Sequence, residues 1–140
     1  MMFPLYAVLD TNVPVSALWK NPSVASRLIE AVDNGLLVPV VSDGILDEYH
    51  DVLSRSKFRF APARYLSLIQ LISQRAKRVV PSATAVPMPA ADDVVFYATA
   101  LASRAAGSAT YLVTGNLRHF PQEDFIISPR AMLDIIERSA

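Results

Sequence analysis

The chain has no cysteine among its 140 residues. Disulfides and thiolate-held metals are thereby excluded, and a reducing compartment is permitted. A membrane-length apolar run is missing too: none reaches the roughly 18–20 residues that a span requires. The opening stretch, Met1 to Asp10, has no basic leader, contains Pro4 and meets a carboxylate at Asp10, so it does not read as a signal peptide. The expectation is a cytoplasmic protein with no membrane partner. An excess of either charge is absent as well. Thirteen basic residues balance thirteen acidic ones, so any contact with nucleic acid must come from local basic patches or from bound metal. There is no Gly-rich phosphate loop and no nucleophile elbow. The two histidines, His50 and His119, are not spaced as a metal-binding pair, which together with the missing cysteine disfavours zinc.

What is present is core material. The composition is 52% hydrophobic and 19% charged, which excludes a disordered chain, and the length suits one compact domain spanning 1–140. Leu5 to Leu9 reads as a buried strand running into a turn at Asp10-Thr11-Asn12. Val24 to Val32 has helical spacing and closes at Asn34-Gly35. Leu36 to Val41 is a second strand, and Ser42 caps the helix after it. In that helix Ile45, Leu46, Tyr49, Val52 and Leu53 share one face. Ser54 to Arg59 is basic and exposed. Tyr65 to Ile72 is helical, with Lys77 and Arg78 beyond its end. Pro81, Pro87 and Pro89 mark an irregular connection. Asp92 to Ala105 is a helix apolar nearly all round, ended by Gly107-Ser108. Ala109 to Val113 and Phe125 to Ile127 are further strands. Ser128-Pro129 opens a last helix with Met132, Leu133, Ile135 and Ile136 inward. Strands alternate with helices throughout, which predicts an α/β sandwich with a mainly parallel sheet covered on both faces.

In such sheets ligands sit outside the carboxyl ends of the strands. Asp10 and Asn116 follow strand ends there. Glu48 lies one turn into the helix leaving the second strand, and Asp93 lies in the first turn of the buried helix. At about 100° per residue, Glu48 falls just outside one edge of its helix's apolar arc, with Asp47 and Asp51 further toward solvent. Each residue has an ordinary alternative. Asp-Thr-Asn is a capping cluster, Asp92-Asp93 suits a helix start, and Glu48 could be a surface acid. Capping does not explain why all of them fall at one edge. Clustered carboxylates suit magnesium or manganese, which prefer hard oxygen ligands and retained waters. Around such ions, acids can position a water and stabilise a departing alkoxide.

These stretches resemble the PIN-domain family. Val8-Leu9-Asp10-Thr11-Asn12-Val13 looks like its opening block and Leu46-Asp47-Glu48-Tyr49 like the block with its second acid. Asp93 to Leu101 resembles the third-acid helix, Leu112-Val113-Thr114-Gly115-Asn116 with His119-Phe120-Pro121 the fourth block, and Ile126 to Arg130 the ending. The nearest subgroup is the toxin components of bacterial toxin–antitoxin systems related to VapC. The resemblance implies a three-layer α/β/α sandwich that hydrolyses RNA with Mg2+ or Mn2+. It implies Asp10, Glu48 and Asp93 as catalytic metal ligands, directly or through water. It also implies Thr114 hydrogen-bonded near the metal, Asn12 supporting Asp10, an antitoxin as partner and a homodimer. Many relatives carry aspartate at the position of Asn116, which here can offer only a carbonyl oxygen to the metal. Asp92 is an accessory ligand or a cap. Two other readings stay open. One is a catalytically weak or inactive PIN-like scaffold that binds RNA or protein, with Asn116 as its motive. The other is a receiver-like phosphate domain with Asp10 as phosphoacceptor, against which no lysine follows the last strand. Arg55, Lys57, Arg59 and Arg118 could meet phosphates or merely be solvated.

Overall fold

The computed structural model describes residues 3–81 and 91–139. In chain order it contains strand β1 (Leu5–Leu9), helices α1 (Asn12–Trp19) and α2 (Val24–Asp33), strand β2 (Leu37–Val41) and helix α3 (Asp43–Leu53). A 3-10 turn (Ser56–Phe58), helix α4 (Pro62–Arg75), strand β3 (Lys77–Arg78) and helix α5 (Ala91–Ala105) follow. Strand β4 (Thr110–Val113), a second 3-10 turn (Leu117–His119), strand β5 (Ile126–Ile127) and helix α6 (Pro129–Ser139) complete it.

The five strands form one sheet in the order β3-β2-β1-β4-β5. Every pairing is parallel, with Leu5 opposite Leu37, Val8 opposite Leu112 and Leu112 opposite Ile126. The chain steps outward from β1 to β3, then returns to lay β4 on the other side of β1. The order therefore reverses between β1 and β4, where a parallel sheet opens a crevice at its carboxyl edge.

Strand periodicity of two sorts the side chains into two cores. Leu5, Ala7 and Leu9 of β1 face α1, α2 and α6, packing with Val13, Leu28, Val32, Met132 and Ile136. Val8 faces the opposite layer, with Tyr49, Leu53, Ile72, Phe96 and Ala100 of α3, α4 and α5. Local chemistry sets the helix ends. Ser23 and Ser26 form a reciprocal capping box at the start of α2. Ser42 accepts from the Ile45 amide at the start of α3. Gly35 follows α2 with φ of +79°, a conformation that suits a residue without Cβ. Among the described residues no helix is long and apolar enough to cross a membrane.

The architecture agrees with the three-layer expectation, with differences in detail. The sheet is parallel throughout rather than mainly so. Helix α1, which carries Pro14, was not foreseen from the spacing of apolar residues. Helix α4 extends beyond both ends of the predicted Tyr65 to Ile72. Lys77 and Arg78, expected merely to follow that helix, pair with Val40 and Val41 as an edge strand. Ala109 and Phe125 lie just outside the strands in which they were placed. The irregular connection around Pro87 and Pro89 lies outside the described residues.

One buried bond ties α3 to the sheet. The Tyr49 hydroxyl, fully buried, donates to the Leu9 carbonyl at the end of β1. Burial, and secondarily the charge of Asp10, push the Tyr49 phenol well above its ordinary range, so it stays a neutral donor. Tyr49→Phe leaves the packing and removes only that donor. The expected loss is about 1–2 kcal/mol, read as a lower urea midpoint at unchanged slope. An unchanged midpoint would show that the bond contributes nothing to stability.

Candidate functional site

Asp10 is the first residue after β1, at the reversal of strand order. It is 6% exposed, and its carboxylate is held on both oxygens. The Thr11 amide donates to Oδ1 at 2.7 Å. Thr114 Oγ1 donates to Oδ2 at 2.7 Å, and Asn12 Nδ2 donates to the same oxygen at 3.2 Å. Thr114 follows β4 directly, so its bond to Asp10 spans the two strand ends that flank the crevice. Asn12 Oδ1 in turn accepts from the Gly115 amide at 3.1 Å, and Thr114 Oγ1 accepts from the Asn116 amide at 2.9 Å. The loop after β4 is thereby fastened to the first turn of α1.

Asp93 enters from the first turn of α5 and is nearly buried. Its buried Oδ2 lies 3.3 Å from His119 Nδ1, a long contact, and no other donor reaches that oxygen among the described residues. Glu48 is half-buried on α3, while Asp47, Asp51 and Asp92 are exposed. Close approach of α3 to α5 depends on Gly44, where a Cβ would come within 2.9 Å of Val95 Cγ2.

The electrostatics bind these acids into one unit. Burial is the main force raising the Asp10 carboxyl above the ordinary carboxylate range. The Thr114 and Thr11 bonds oppose it, nearby Asp93 adds to it and His119 lowers it. Burial also leads at Glu48, reinforced by Asp92, Asp51 and Asp10 and opposed by Arg55. At Asp93 burial again leads, with His119 opposing and Asp92 adding. Three carboxylates thus share one electrostatic neighbourhood in which each charge is costly. They do not form a ready cage, however. Among the described residues, no three His, Asp or Glu side chains converge closely enough to hold a metal ion.

The remaining residues singled out from the sequence are placed differently. Asn116 is exposed, and among the described residues its side chain makes no hydrogen bond. Its backbone does the work, the amide bonding Thr114 and the carbonyl accepting from the His119 amide at 2.9 Å. His50 is exposed on α3 and stands edge-on to Tyr65. His119, which the sequence shows only as unpaired with His50 and as part of the fourth block, reaches Asp93. The 3-10 turn of residues 117–119 turns it toward α5, and no spacing rule reveals that. Gly115, Asn116, Leu117, Arg118 and His119 line an open depression of about 500 Å3 beside these acids.

A parallel α/β sheet with acids at its switch point defines a class of proteins that handle ligands at the carboxyl edge. The family profile described as PIN domain matches residues 6–118, and the chain belongs to the PIN-domain family. PIN domains are in general nucleases, so the class is that of hydrolases acting on nucleic acid. No curated protein and no solved structure matched the chain. Strand β5 and helix α6 lie beyond the matched span, yet they complete the same sheet and core.

The raised carboxyls set the sign of the pH response. Each binds its proton more tightly in the folded chain than in the unfolded one. Between the ordinary and the raised values the folded chain keeps protons that the unfolded chain has released. Stability of the metal-free protein therefore falls as pH rises through that window and levels off above it. Asp93→Asn removes one of these charges. It should raise the neutral-pH Tm in chelator by roughly 2–5 °C and flatten the pH dependence. A lower Tm with the same pH dependence would show that these acids are not what limits stability.

Proposed function

We propose that this protein is a metal-dependent endoribonuclease, hydrolysing RNA phosphodiester bonds at the acids around Asp10. The observation that carries the reading is the constrained, desolvated Asp10 at the strand switch, with Asp93 and Glu48 in its field. The donor set suits a hard divalent cation: oxygen ligands only, with one buried Asp93 oxygen that has only the long His119 contact. Asp10, Glu48 and Asp93 would hold Mg2+ or Mn2+. Since the three do not converge by themselves, ligation through water is part of the proposal, with Asp92 as an accessory acid at the rim. When bound, such an ion neutralises the carboxylates, polarises the phosphate and lowers the pKa of a water.

The chain's own groups do the rest. Thr114 and Asn12 fix the orientation of the Asp10 carboxylate, so its free lone pairs keep one direction. The Asp93 carboxylate, held only by the long His119 contact, and the half-buried Glu48 carboxylate, without donors among the described residues, would meet an ion or the proton of an attacking water. Arg118, in the depression beside His119, supplies positive charge for the scissile strand. Asn116 stands where many relatives carry aspartate. Its exposed side chain adds no charge here, which favours a single tightly held ion over two. The family likeness further motivates the role of a toxin restrained by an antitoxin, acting as a homodimer of single-domain chains in the cytoplasm.

A second reading rests on the same two facts, the absence of a ready three-ligand group and the asparagine at position 116. Under it the chain is an inactive PIN-like scaffold that binds RNA or a protein. The two are separated by incubating a mixed RNA pool with wild type and Asp10→Asn, each with magnesium, manganese or chelator. The ribonuclease reading expects cleavage by wild type alone, abolished by chelator. Equal products from both proteins, or none from either while both are folded, would overturn it in favour of the scaffold. The toxin role is checked separately: induced wild-type protein should arrest bacterial growth and Asp10→Asn should not.

Thr114 permits a finer test. Thr114→Val keeps shape and removes the donor to Asp10, so activity should fall about 10–100-fold. The metal concentration for half-maximal rate should rise with it, and Thr114→Ser should restore most of both. Full activity in Thr114→Val would show that Asp10 needs no such support.

A further inference from the structure

We propose that the surface cluster of Trp19, Phe58 and Phe60, with Lys57 and Arg59, is a stacking platform for single-stranded RNA leading away from the acids. The inference rests on the ribonuclease reading for the kind of nucleic acid, and on the following geometry for the rest.

Trp19, the only tryptophan of the chain, ends α1 and is 67% exposed. It stands perpendicular to Phe58 and Phe60, at centroid separations of 5.6 and 6.3 Å. Those two rings stack on each other at 5.5 Å, nearly parallel. Arg59 between them takes a left-handed conformation, φ of 55°, in a tight turn that sets residues 58 and 60 side by side. Neither phenylalanine is fully buried. Lys57 Nζ lies 5.0 Å over the Phe58 ring. One exposed ring, Trp19, thus stands edge-on to two partly buried and mutually stacked rings, with Lys57 over one of them.

The charge around them is one-sided. Between Val52 and Ala91 there is no Asp or Glu, while seven of the thirteen basic residues fall there. Arg55, Arg75 and Arg78 are drawn to Asp51, Asp33 and Asp43. Among the described residues, Lys57 and Arg59 pair with no carboxylate. A chain neutral as a whole thus carries unpaired positive charge at the aromatic cluster.

Two paths connect this cluster to the acids. Helix α1 runs from Asn12, bonded to Asp10, to Trp19, a length of roughly 12 Å for its eight residues. Arg55 lies near enough to Glu48 to oppose its raised pKa and immediately precedes the 3-10 turn that carries Phe58. The proposed strand would leave the acids along this side, past Arg55, toward the rings.

The chemistry selects the occupant. Aromatic faces stack on unpaired bases while neighbouring cations track the phosphates. A duplex hides its base faces. A protein partner would favour a patch whose centre is depleted of lysine, whereas here Lys57 sits on the ring.

Tryptophan fluorescence tests the proposal directly, since the signal comes from Trp19 alone. A single-stranded RNA of about 12 nucleotides is titrated in chelator, so that binding is read without cleavage. A saturable quench is expected for wild type. Phe58→Ala and Lys57→Glu should each weaken binding roughly tenfold, with folding checked by circular dichroism. Labelled-RNA anisotropy with Trp19→Leu should show a similar loss, and duplex RNA should quench less. No saturable quench, or an equal one in Phe58→Ala, overturns the platform. A quench that depends on protein concentration alone overturns it too and marks the surface as a contact between proteins. Cleavage without the quench leaves the ribonuclease reading standing and removes the platform; the quench without cleavage does the reverse.

Discussion

The hydrogen bond from Thr114 to Asp10 is the interaction on which the rest of the structure turns. It is short, buried and spans more than a hundred residues of chain. It joins the ends of β1 and β4, the one place where the strand order reverses. Around it the loop after β4 is tied to the first turn of α1, and α3 is tied to the last carbonyl of β1 through Tyr49. An acid buried alone at a strand end would be expelled or neutralised. Held by three donors, it stays in place while burial still raises its carboxyl. Geometry and electrostatics are therefore two aspects of one arrangement.

That arrangement places a destabilising cluster where the ladder of parallel strands ends and no further backbone bonds compete for space. The two hydrophobic layers, which share β1 between them, supply the rigidity that keeps the acids from relaxing outward. Seven of the thirteen basic residues lie on the segment between α3 and α5, and of these Arg55 comes close enough to act on Glu48. The balance of the whole chain conceals this division, since thirteen charges of each sign cancel in sum but not in space.

Much of this was legible in the sequence, for physical reasons that differ by element. Strands β1, β2 and β4 are short apolar runs ending at polar turns, and α2, α3 and α6 carry their apolar residues on one face. Helix α1 escaped because it is apolar on most sides and contains Pro14, so no stripe stands out. Strand β3 escaped because an edge strand of Lys77 and Arg78 has no apolar alternation to display. Asp10, Glu48 and Asp93 could be assigned to one edge of the sheet from strand ends and helix phase, and Glu48 does lie between the buried and exposed faces of α3. The reach of His119 to Asp93, and the outward side chain of Asn116, could not be read in this way. Both depend on the path of a 3-10 turn, which leaves no periodicity.

Gly44 has a meaning beyond its own turn of helix. The space its missing side chain leaves is filled by Val95 from α5, and the two helices that meet there carry Glu48 and Asp93. Positions 44 and 95 are thus coupled in volume. A side chain can arise at one only as volume is given up at the other, or the two acids part.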